Sequence, residues 1–166
     1  MENLIKKHIT IVTPCFNEIL NVEDCYSRTK DVMVKLRERY TYEHIFCDNN
    51  SNDGTFEKLR EIAKLDNNVR VIRLSRNVGP VLNIWNGLKN SKGDLIIPML
   101  PADLQDPPEV IPLLLESWTE GNKVVFGIRK NRKENLILAL FRRFYYFLIR
   151  QLGNVNLPRN AGDLDR

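Results

Sequence analysis

Residues 44–65 read HIFCDNNSNDGTFEKLREIAKL and contain a complete strand–loop–helix unit. The run from His44 to Cys47 is short and apolar, as in a buried strand, and Thr55 to Leu65 repeats apolar residues every three or four positions, as in a helix. The segment between them is polar apart from one glycine. We therefore expect a strand that ends in a polar loop and a crossover helix, which is the repeating unit of a parallel sheet.

The same alternation of strand and helix patterns continues on both sides of this unit. We predict strands at Ile9–Thr13, His44–Cys47, Val69–Leu74, Leu95–Leu100 and Lys123–Gly127. We predict helices from Asn21, at Thr55–Leu65, at Val81–Asn90, from Asp106 to about Glu120, and at Asn135–Leu152. The fold class is therefore α/β, with a mostly parallel sheet of five strands and helices on both of its faces.

Local signals predict how several of these helices begin and end. Asp53 and Asp106 are predicted N-caps, because a short acidic side chain can accept hydrogen bonds from a helix's first free N–H groups. Gly93 and Gly121 are predicted to end the helices that precede them. Trp85 lies on an apolar helix face, so we expect it in the core, and the same holds for Trp118.

Composition limits the number of domains and the class of partner. The chain has 166 residues, of which 43% are hydrophobic, enough for one globular domain with a sizeable core and little more. We therefore expect a single domain over residues 1–166. The net charge of +4 arises without dense basic runs, so we expect no nucleic-acid partner, and small anionic ligands or an anionic membrane face fit better.

Cysteine and histidine spacing argues against disulfide bonds and against a structural zinc site. The 3 cysteines form no CxxC pair, and the 2 histidines have no zinc-ligand spacing. The N-terminus lacks the long apolar region of a signal peptide, and no segment reaches the roughly 20 apolar residues of a spanning helix. We expect a cytoplasmic protein without disulfides or structural zinc.

Polar residues follow every predicted strand. Ligands of open α/β sheets bind outside the carboxyl ends of the strands, because the connecting loops meet there. The loops concerned are Pro14–Glu18, Asp48–Thr55, Ser75–Gly79, Pro101–Asp106 and Arg129–Lys133. We expect their acidic, amide and basic groups to converge on one edge of the sheet. No GxGxxG pattern follows the first strand, which argues against a dinucleotide-binding oxidoreductase.

Three of these loops resemble motifs of one enzyme family. Val12–Glu18 (VTPCFNE) resembles an opening P-x-(Phe/Tyr)-Asn-Glu, Asp48–Thr55 (DNNSNDGT) a DDGSxDGT loop, and Ala102–Glu109 (ADLQDPPE) the segment DADLQDPPE. Gly162-Asp163 resembles a GDF motif beyond the last helix. The chain resembles inverting glycosyltransferases of the GT-A fold, family 2, especially the polyprenyl-phosphate glycosyltransferases that include dolichyl-phosphate mannose synthase and bactoprenyl-phosphate glucosyltransferase.

The resemblance implies a GT-A, Rossmann-like sheet and the transfer of a sugar, with inversion, from a nucleotide-diphosphate sugar to a polyprenyl phosphate. It also implies a Mg²⁺ or Mn²⁺ ion held by Asp103 and Gln105, and catalytic roles for Asp103, Arg129 and Arg132. The donor-binding residues that it implies are Pro14, Phe16, Asn17, Glu18, Asp48, Asn49, Ser51, Arg76, Asn77, Ala102 and Asp103.

Some of these residues also have a structural interpretation. Asp48 either contacts the donor or only organises its own loop. Phe16 either stacks on the base or packs against the protein. Arg129 and Arg132 either bind phosphate or belong to a solvated basic loop.

Two positions depart from the family pattern, and both lose a negative charge. Pro101 stands where the resemblance has the first aspartate of the metal loop, so we expect a divalent ion to bind more weakly and to depend more on the donor's phosphates. Asn49 replaces the second aspartate of the DD pair. The alternative function is therefore a nucleotide-sugar-binding module or pseudoenzyme that lacks catalysis.

Leu136–Leu152 reads LILALFRRFYYFLIRQL and has more bulky apolar residues than one helix face buries against a sheet. It is interrupted by arginines, so we do not expect it to span a membrane. It either lies on an anionic membrane surface at the inner face of the cytoplasmic membrane or packs against a later segment of the protein. We expect the chain to stop before the segment that completes the acceptor site, and the exposed apolar surface to favour homo-oligomers.

Overall fold

The computed structural model of the chain describes residues 6–127. Its residues up to Pro112 and those from Leu113 onwards belong to two different compact units. The strands are β1 (Lys7–Cys15), β2 (Tyr40–Asp48), β3 (Val69–Arg73) and β4 (Leu95–Ile97). The helices are α1 (Val22–Lys35), α2 (Thr55–Leu65), α3 (Pro80–Lys89) and α4 (Ile111–Thr119), and a 3₁₀ turn covers Pro108–Val110.

The four strands form one parallel sheet in the order β3-β2-β1-β4. The chain moves in one direction from β1 to β3 and returns across the sheet to β4. Because crossovers between parallel strands are right-handed, α1 and α2 lie on one face and α3 lies on the other. The contacts agree: α1 packs on α2, while α3 packs on β1 and β2. The predicted α/β fold with helices on both faces is confirmed.

The two central strands carry the core. Ile9, Ile11 and Val12 of β1 and Ile45 and Phe46 of β2 have no exposed surface. Strands covered on both faces become near-continuous apolar runs, which explains why the sequence shows little alternation there. The predicted inward face of α1 is confirmed, since Val22, Cys25, Thr29, Val32 and Met33 are all buried.

Helix α3 lies unusually close to the sheet. A Cβ atom on Gly87 would overlap the side chain of Val12 and come within 2.9 Å of Cys47 Sγ, so only glycine fits at this contact. One turn earlier, the buried Asn83 Nδ2 donates a 2.8 Å hydrogen bond to the Cys47 carbonyl. The inward face of α3 therefore consists of a small residue and a polar residue.

A polar network joins the α3–β4 connection to the sheet. Glu43 Oε1 accepts hydrogen bonds from Thr10 Oγ1 (2.7 Å) and Lys92 N–H (3.2 Å), and its Oε2 accepts one from Arg70 (2.7 Å). Burial raises the pKa of Glu43, but these hydrogen bonds outweigh it and lower the pKa below its usual value. Gly93 donates to Thr10 Oγ1 over 2.9 Å. The connection is thus held by an ionised carboxylate.

Several predicted features are wrong, each for a local reason. Residues 123–127 form no strand: they pair with no other strand in the described part of the chain, and Val124 and Phe126 stay exposed. Gly93 does not end α3, which stops at Lys89; a Cβ at Gly93 would meet the backbone of Thr10 at 2.6 Å, so its role is close approach to β1.

Two side-chain predictions also need correction. Trp85 is 54% exposed instead of buried, because α3 turns Gly87 towards the sheet. The element after Asp106 begins with a 3₁₀ turn over Pro108–Val110 whose N-cap residue is Pro107, so Asp106 lies one residue before the N-cap instead of at it. Trp118 is partly buried, and Gly121, with a φ of +98°, follows the end of α4 as predicted.

The three cysteines of the described residues are buried thiols. Burial raises the pKa of both Cys25 and Cys47 to about 12, so these thiols stay neutral. Cys15 is also buried and free. Within residues 6–127, no helix has the length and apolar character needed to cross a bilayer.

His44 makes folding sensitive to acid. Its ring is fully buried on β2, with Nε2 2.8 Å from Thr13 Oγ1, and burial lowers its pKa to about 3, whereas the unfolded value is about 6.5. Between these two pH values only the unfolded chain takes up the proton. The free energy of unfolding should therefore fall as the pH drops below about 6.5, by up to about 1.4 kcal/mol per pH unit.

Urea unfolding of the parent chain and of His44→Gln from pH 7 to pH 4.5 tests this prediction. Titrating carboxylates are common to both chains, so the variant should show the shallower decline. His8→Gln removes the other histidine from a partly exposed position and serves as the matched control. Equal slopes for the parent chain and His44→Gln would contradict the assignment.

Candidate active site

The strand register brings the predicted site loops to one edge. Cys15 at the end of β1 is level with Asp48 at the end of β2, which is level with Arg73 at the end of β3. Beyond β4, Leu100 N–H donates to the Val12 carbonyl over 2.9 Å, so the fourth loop leaves from the same edge. The sequence expectation that four of the polar loops share the carboxyl edge is confirmed.

Four hydrogen bonds join the loop after β1 to the loop after β2. In each of them a backbone N–H of one loop donates to a side-chain oxygen of the other loop. The pairs are Asn17 N–H to Ser51 Oγ (2.9 Å), Glu18 N–H to Thr55 Oγ1 (2.9 Å), Ile19 N–H to Asp53 Oδ2 (3.1 Å) and Asn52 N–H to Asn17 Oδ1 (3.1 Å). The two loops therefore form one preorganised surface, and Asn17 and Ser51 spend much of their hydrogen-bonding capacity on it.

Asp53 accepts hydrogen bonds at the start of α2 as predicted, although it lies one residue before the N-cap. Gly54 occupies the N-cap of α2, while Asp53 Oδ1 accepts from the Thr55 N–H (3.0 Å) and the Thr55 hydroxyl (2.6 Å). These hydrogen bonds, with that from Ile19, outweigh the effect of burial and lower the pKa of Asp53. Asp53 therefore has a structural role at the start of α2.

Asp48 organises its loop from a fully buried position. Its carboxylate accepts hydrogen bonds from Ser51 N–H at 3.1 and 3.3 Å and lies 3.4 Å from Arg73 Nε. Arg73 also donates to the Ser51 carbonyl over 3.0 Å, and its guanidinium lies 4.5 Å from the centre of the Phe56 ring. Because Asp48 has no exposed surface, a direct contact with the donor would require the residues around it to rearrange.

Sequence reasoning missed Arg73. The signal that could have found it is its place as the last residue of β3, level with Asp48 in the parallel register. A basic residue at one strand end, next to an acidic residue at the end of its neighbour, is the pattern of a charge pair at the carboxyl edge.

Asn49 connects the second loop to the loop before α3. Its Nδ2 donates to Asn77 Oδ1 (2.9 Å), its Oδ1 accepts from Val78 N–H (2.9 Å), and its own N–H donates to the Cys15 carbonyl (2.9 Å). Asn77 Oδ1 also accepts from Gly79 N–H (2.9 Å). The carboxamide is buried, and an aspartate at position 49 could not donate to Asn77.

Exposure divides the predicted donor-binding residues into two groups. The first is a buried frame, formed by Asp48, Asn49, Ser51 and Ala102. The second is a surface that a ligand can reach, in which Phe16, Asn17, Arg76 and Asn77 are exposed and Pro14, Glu18, Asp103 and Gln105 are partly exposed. Phe16 is 44% exposed, so one side of its ring is free to stack.

The loop after β4 holds Asp103 in a constrained conformation. Gln105 N–H donates to Asp103 Oδ1 over 3.1 Å, and Leu104 N–H donates to the Pro101 carbonyl over 3.1 Å. Leu104 between them has a φ of +58°, a left-handed conformation that costs a non-glycine residue energy. Such strain persists only where its surroundings impose it, and it often accompanies functional loops.

The fit of a divalent ion rests on this loop. Within residues 6–127 no group of three or more His, Cys, Asp or Glu side chains is placed to hold a metal. Asp103 supplies one partly exposed carboxylate, and Gln105 supplies a carboxamide. These hard oxygen donors suit Mg²⁺ or Mn²⁺, but only if the ion takes most of its ligands from a bound diphosphate or from water.

Four further predicted features lie outside the described residues. They are Arg129, Arg132, the predicted helix at residues 135–152, and Gly162-Asp163. Their roles therefore stay predictions.

The comparisons with known proteins agree with this geometry. The family model described as Glycosyl transferase family 2 matches residues 10–164. An uncharacterised glycosyltransferase of Bacillus subtilis, YkcC, is 36% identical over 162 residues, which cover 96% of this chain and 49% of the relative. An undecaprenyl-phosphate 4-deoxy-4-formamido-L-arabinose transferase of Proteus mirabilis is 38% identical over 156 residues, covering 93% and 46%. The chain thus spans about half the length of these curated relatives.

Among solved structures, a glucosyl-3-phosphoglycerate synthase of Mycobacterium tuberculosis in complex with Mn²⁺, UDP and glucosyl-3-phosphoglycerate has a similar fold. The TM-score is 0.61 at 24% identity, and the match covers 92% of this chain and 54% of that one. At this identity the likeness shows the shared GT-A fold.

The Asn49 hydrogen bonds generate a prediction. Asn49→Asp should lower the free energy of unfolding by about 1–3 kcal/mol, because it buries a charge, removes a donor and sets two acceptors against each other at Asn77. Asn52→Asp makes the same change at an exposed position of the same loop and is the matched control. Urea unfolding at pH 7 measures both, and equal stabilities would show that Asn49 does not hold the loops together.

Proposed function

We propose that this chain, which belongs to glycosyltransferase family 2, carries the donor-binding half of an enzyme that moves a sugar from a nucleotide-diphosphate sugar to a polyprenyl phosphate with inversion. The observation that carries the proposal is the division of the carboxyl edge into a buried frame and a reachable surface. The reachable residues include an aromatic ring, a cation and the Asp103 carboxylate. These groups suit a base, a diphosphate and a divalent ion.

The buried frame and the reachable surface have different tasks in this proposal. Asp48, Asn49 and Ser51 hold the loops in place from beneath, so that little reorganisation is needed when donor binds. Phe16 stacks on the base, and Glu18 and Asn17 offer polar groups to the base or ribose. Both kinds of residue belong to the predicted donor site. The buried residues act only by holding the loops, whereas the exposed residues contact the donor directly.

The main chemical requirement of sugar transfer is to stabilise the negative charge on the leaving nucleoside diphosphate. The nucleoside diphosphate becomes more negative as the glycosidic bond breaks, and cations fixed beside it stabilise that change. Arg76 is an exposed cation on the loop that Asn49 holds. A Mg²⁺ or Mn²⁺ ion, held by Asp103 and Gln105 together with the donor's phosphates, would act as a Lewis acid on the leaving group.

A polyprenyl phosphate acceptor suits a site without an obvious general base. The phosphate oxygen is already anionic near neutral pH, so removing a proton would add little to its nucleophilicity. The Proteus mirabilis relative is named as an undecaprenyl-phosphate transferase, which supports this acceptor class. Arg129 and Arg132 are the proposed cations for the acceptor, and the inner face of the cytoplasmic membrane is the proposed location.

A nucleotide-sugar-binding module without catalysis is the second candidate. The observation that favours it is Pro101, which leaves Asp103 without the carboxylate that the resemblance places two residues before it. Donor binding that ignores the metal, with no hydrolysis or transfer of the sugar, would support this candidate. Binding or turnover that requires Mn²⁺ would support the enzyme.

Asp103→Asn tests the metal role at nearly constant shape. Calorimetric titration of UDP and GDP in the presence of Mn²⁺ should show affinity reduced at least about tenfold, because the ion loses its carboxylate ligand. Asp31→Asn, an exposed carboxylate on α1, is the control for a lost surface charge. Unchanged nucleotide affinity in Asp103→Asn would remove Asp103 from the site.

Pro101→Asp tests the same loop in the opposite direction. A second carboxylate should tighten Mn²⁺ binding, because Ca²⁺- and Mg²⁺-type ions gain affinity with the number of charged oxygen ligands. Mn²⁺ titration followed by calorimetry measures the change. Flat or weaker affinity would mean that position 101 does not face the ion.

A further inference from the structure

Helix α3 packs on the sheet but leaves three of its large apolar side chains exposed. Asn83 and Gly87 are its buried residues, while Val81 is 75% exposed, Leu82 57% and Trp85 54%. A helix on a sheet ordinarily turns its apolar stripe inwards. The exposed apolar residues form a stripe on one side of α3, since positions four apart in a helix lie above one another. We call Val81, Leu82 and Trp85 the α3 stripe.

The helix cannot rotate to bury this stripe, because it is fixed along its length. At its start, Val78 N–H is held by Asn49 Oδ1. In its middle, Asn83 donates to the Cys47 carbonyl and Gly87 leaves no room for a side chain. After its end, the Asn90 carbonyl accepts from Arg70, and Lys92 and Gly93 donate to Glu43 and Thr10. The outward direction of the stripe is therefore a property of the fold.

The charged residues of the segment that carries the stripe have one sign. Between Leu74 and Gly93 the sequence contains Arg76, Lys89 and Lys92 and no acidic residue, and all three cations are exposed. Lys89 Nζ lies 5.7 Å from the centre of the Trp85 ring, which places a charge directly beside the stripe. The nearest acidic residue along the chain, Asp94, is paired with Lys7 at 3.6 Å.

We propose that the α3 stripe docks on an anionic lipid surface, with Trp85 at the level of the headgroups. A tryptophan, two aliphatic side chains and flanking cations are the composition of an interfacial helix, and the cations add attraction to anionic headgroups. A second copy of the chain fits less well, because a two-fold contact through α3 would bring the same cations together. The α3 start is tied to the candidate site through Asn49, so the lipid surface would lie beside that site.

Vesicle co-sedimentation of the full chain tests the proposal. The chain should bind vesicles that contain phosphatidylglycerol, should bind pure phosphatidylcholine vesicles much less, and should be released by high salt. The triple variant Val81→Ser, Leu82→Ser, Trp85→Ser should bind about tenfold more weakly. Leu65→Ser with Val34→Ser changes two exposed apolar residues of α2 and α1, on the other face of the sheet, and should bind like the parent chain.

The fluorescence of Trp85 reports whether this side chain contacts the lipid. The chain has 2 tryptophans, so Trp118→Phe leaves Trp85 as the single tryptophan, which excitation at long wavelength selects over the tyrosines. Its emission should shift to the blue on anionic vesicles and be quenched by brominated lipid. Vesicle binding without a change in Trp85 emission would overturn the proposal, as would equal binding by the triple variant and the control.

Light scattering tests the other possible occupant of the α3 stripe, which is a second copy of the chain. A dimer of the parent chain that the triple variant loses would show that a second copy covers α3, and would overturn the lipid assignment. Nucleotide binding by the triple variant, which changes no donor-site residue, should match the parent chain and shows that the variant is folded. Failure of the parent chain to bind any nucleotide would contradict the proposed function alone and leave the lipid result unaffected.

Discussion

The buried carboxylate of Asp48 is the constraint on which the rest of the carboxyl edge depends. A charge without any exposed surface is stable only if it is paired and hydrogen-bonded, and Arg73 and the Ser51 N–H provide both. Satisfying Asp48 therefore fixes the turn of the second loop, and Ser51 in turn holds Asn17 of the first loop. One electrostatic requirement thereby sets the shape of two loops, and the surface above them can receive a ligand without reorganising.

Asn49 extends the same frame to the other face of the sheet. Its carboxamide holds Asn77 and Val78, and through them the start of α3. An ionised aspartate at this position, as in the DDGSxDGT loop that the sequence resembles, would accept hydrogen bonds but could not donate one. The carboxamide of Asn49 instead both donates and accepts, and so connects the two loops. The position of the Arg76 loop and the outward direction of the α3 stripe both depend on that connection.

The sequence was sufficient to predict the parallel sheet, because apolar strands followed by polar loops and periodic helices leave few alternative folds. It predicted a candidate site at one edge for the same reason, since the carboxyl ends of the strands meet there. It could not sort the site residues into buried and reachable groups, because Asp48 and Asp103 look alike until the strand register places Arg73 beside one of them. It misplaced Trp85, because nothing local shows that Gly87 is the residue nearest the sheet. A short apolar run also predicted a strand at residues 123–127 that finds no partner within residues 6–127.

The central claim is that a nucleoside diphosphate binds on the reachable surface of the carboxyl edge. Backbone amide NMR of the chain, titrated with UDP or GDP and Mg²⁺ and then with Mn²⁺, tests this claim directly. The account predicts shift changes grouped in residues 14–18, 48–52, 75–79 and 101–106, with Mn²⁺ broadening centred on Asp103. Shifts that group instead at the amino ends of the strands, or the absence of any response to either nucleotide, would contradict it.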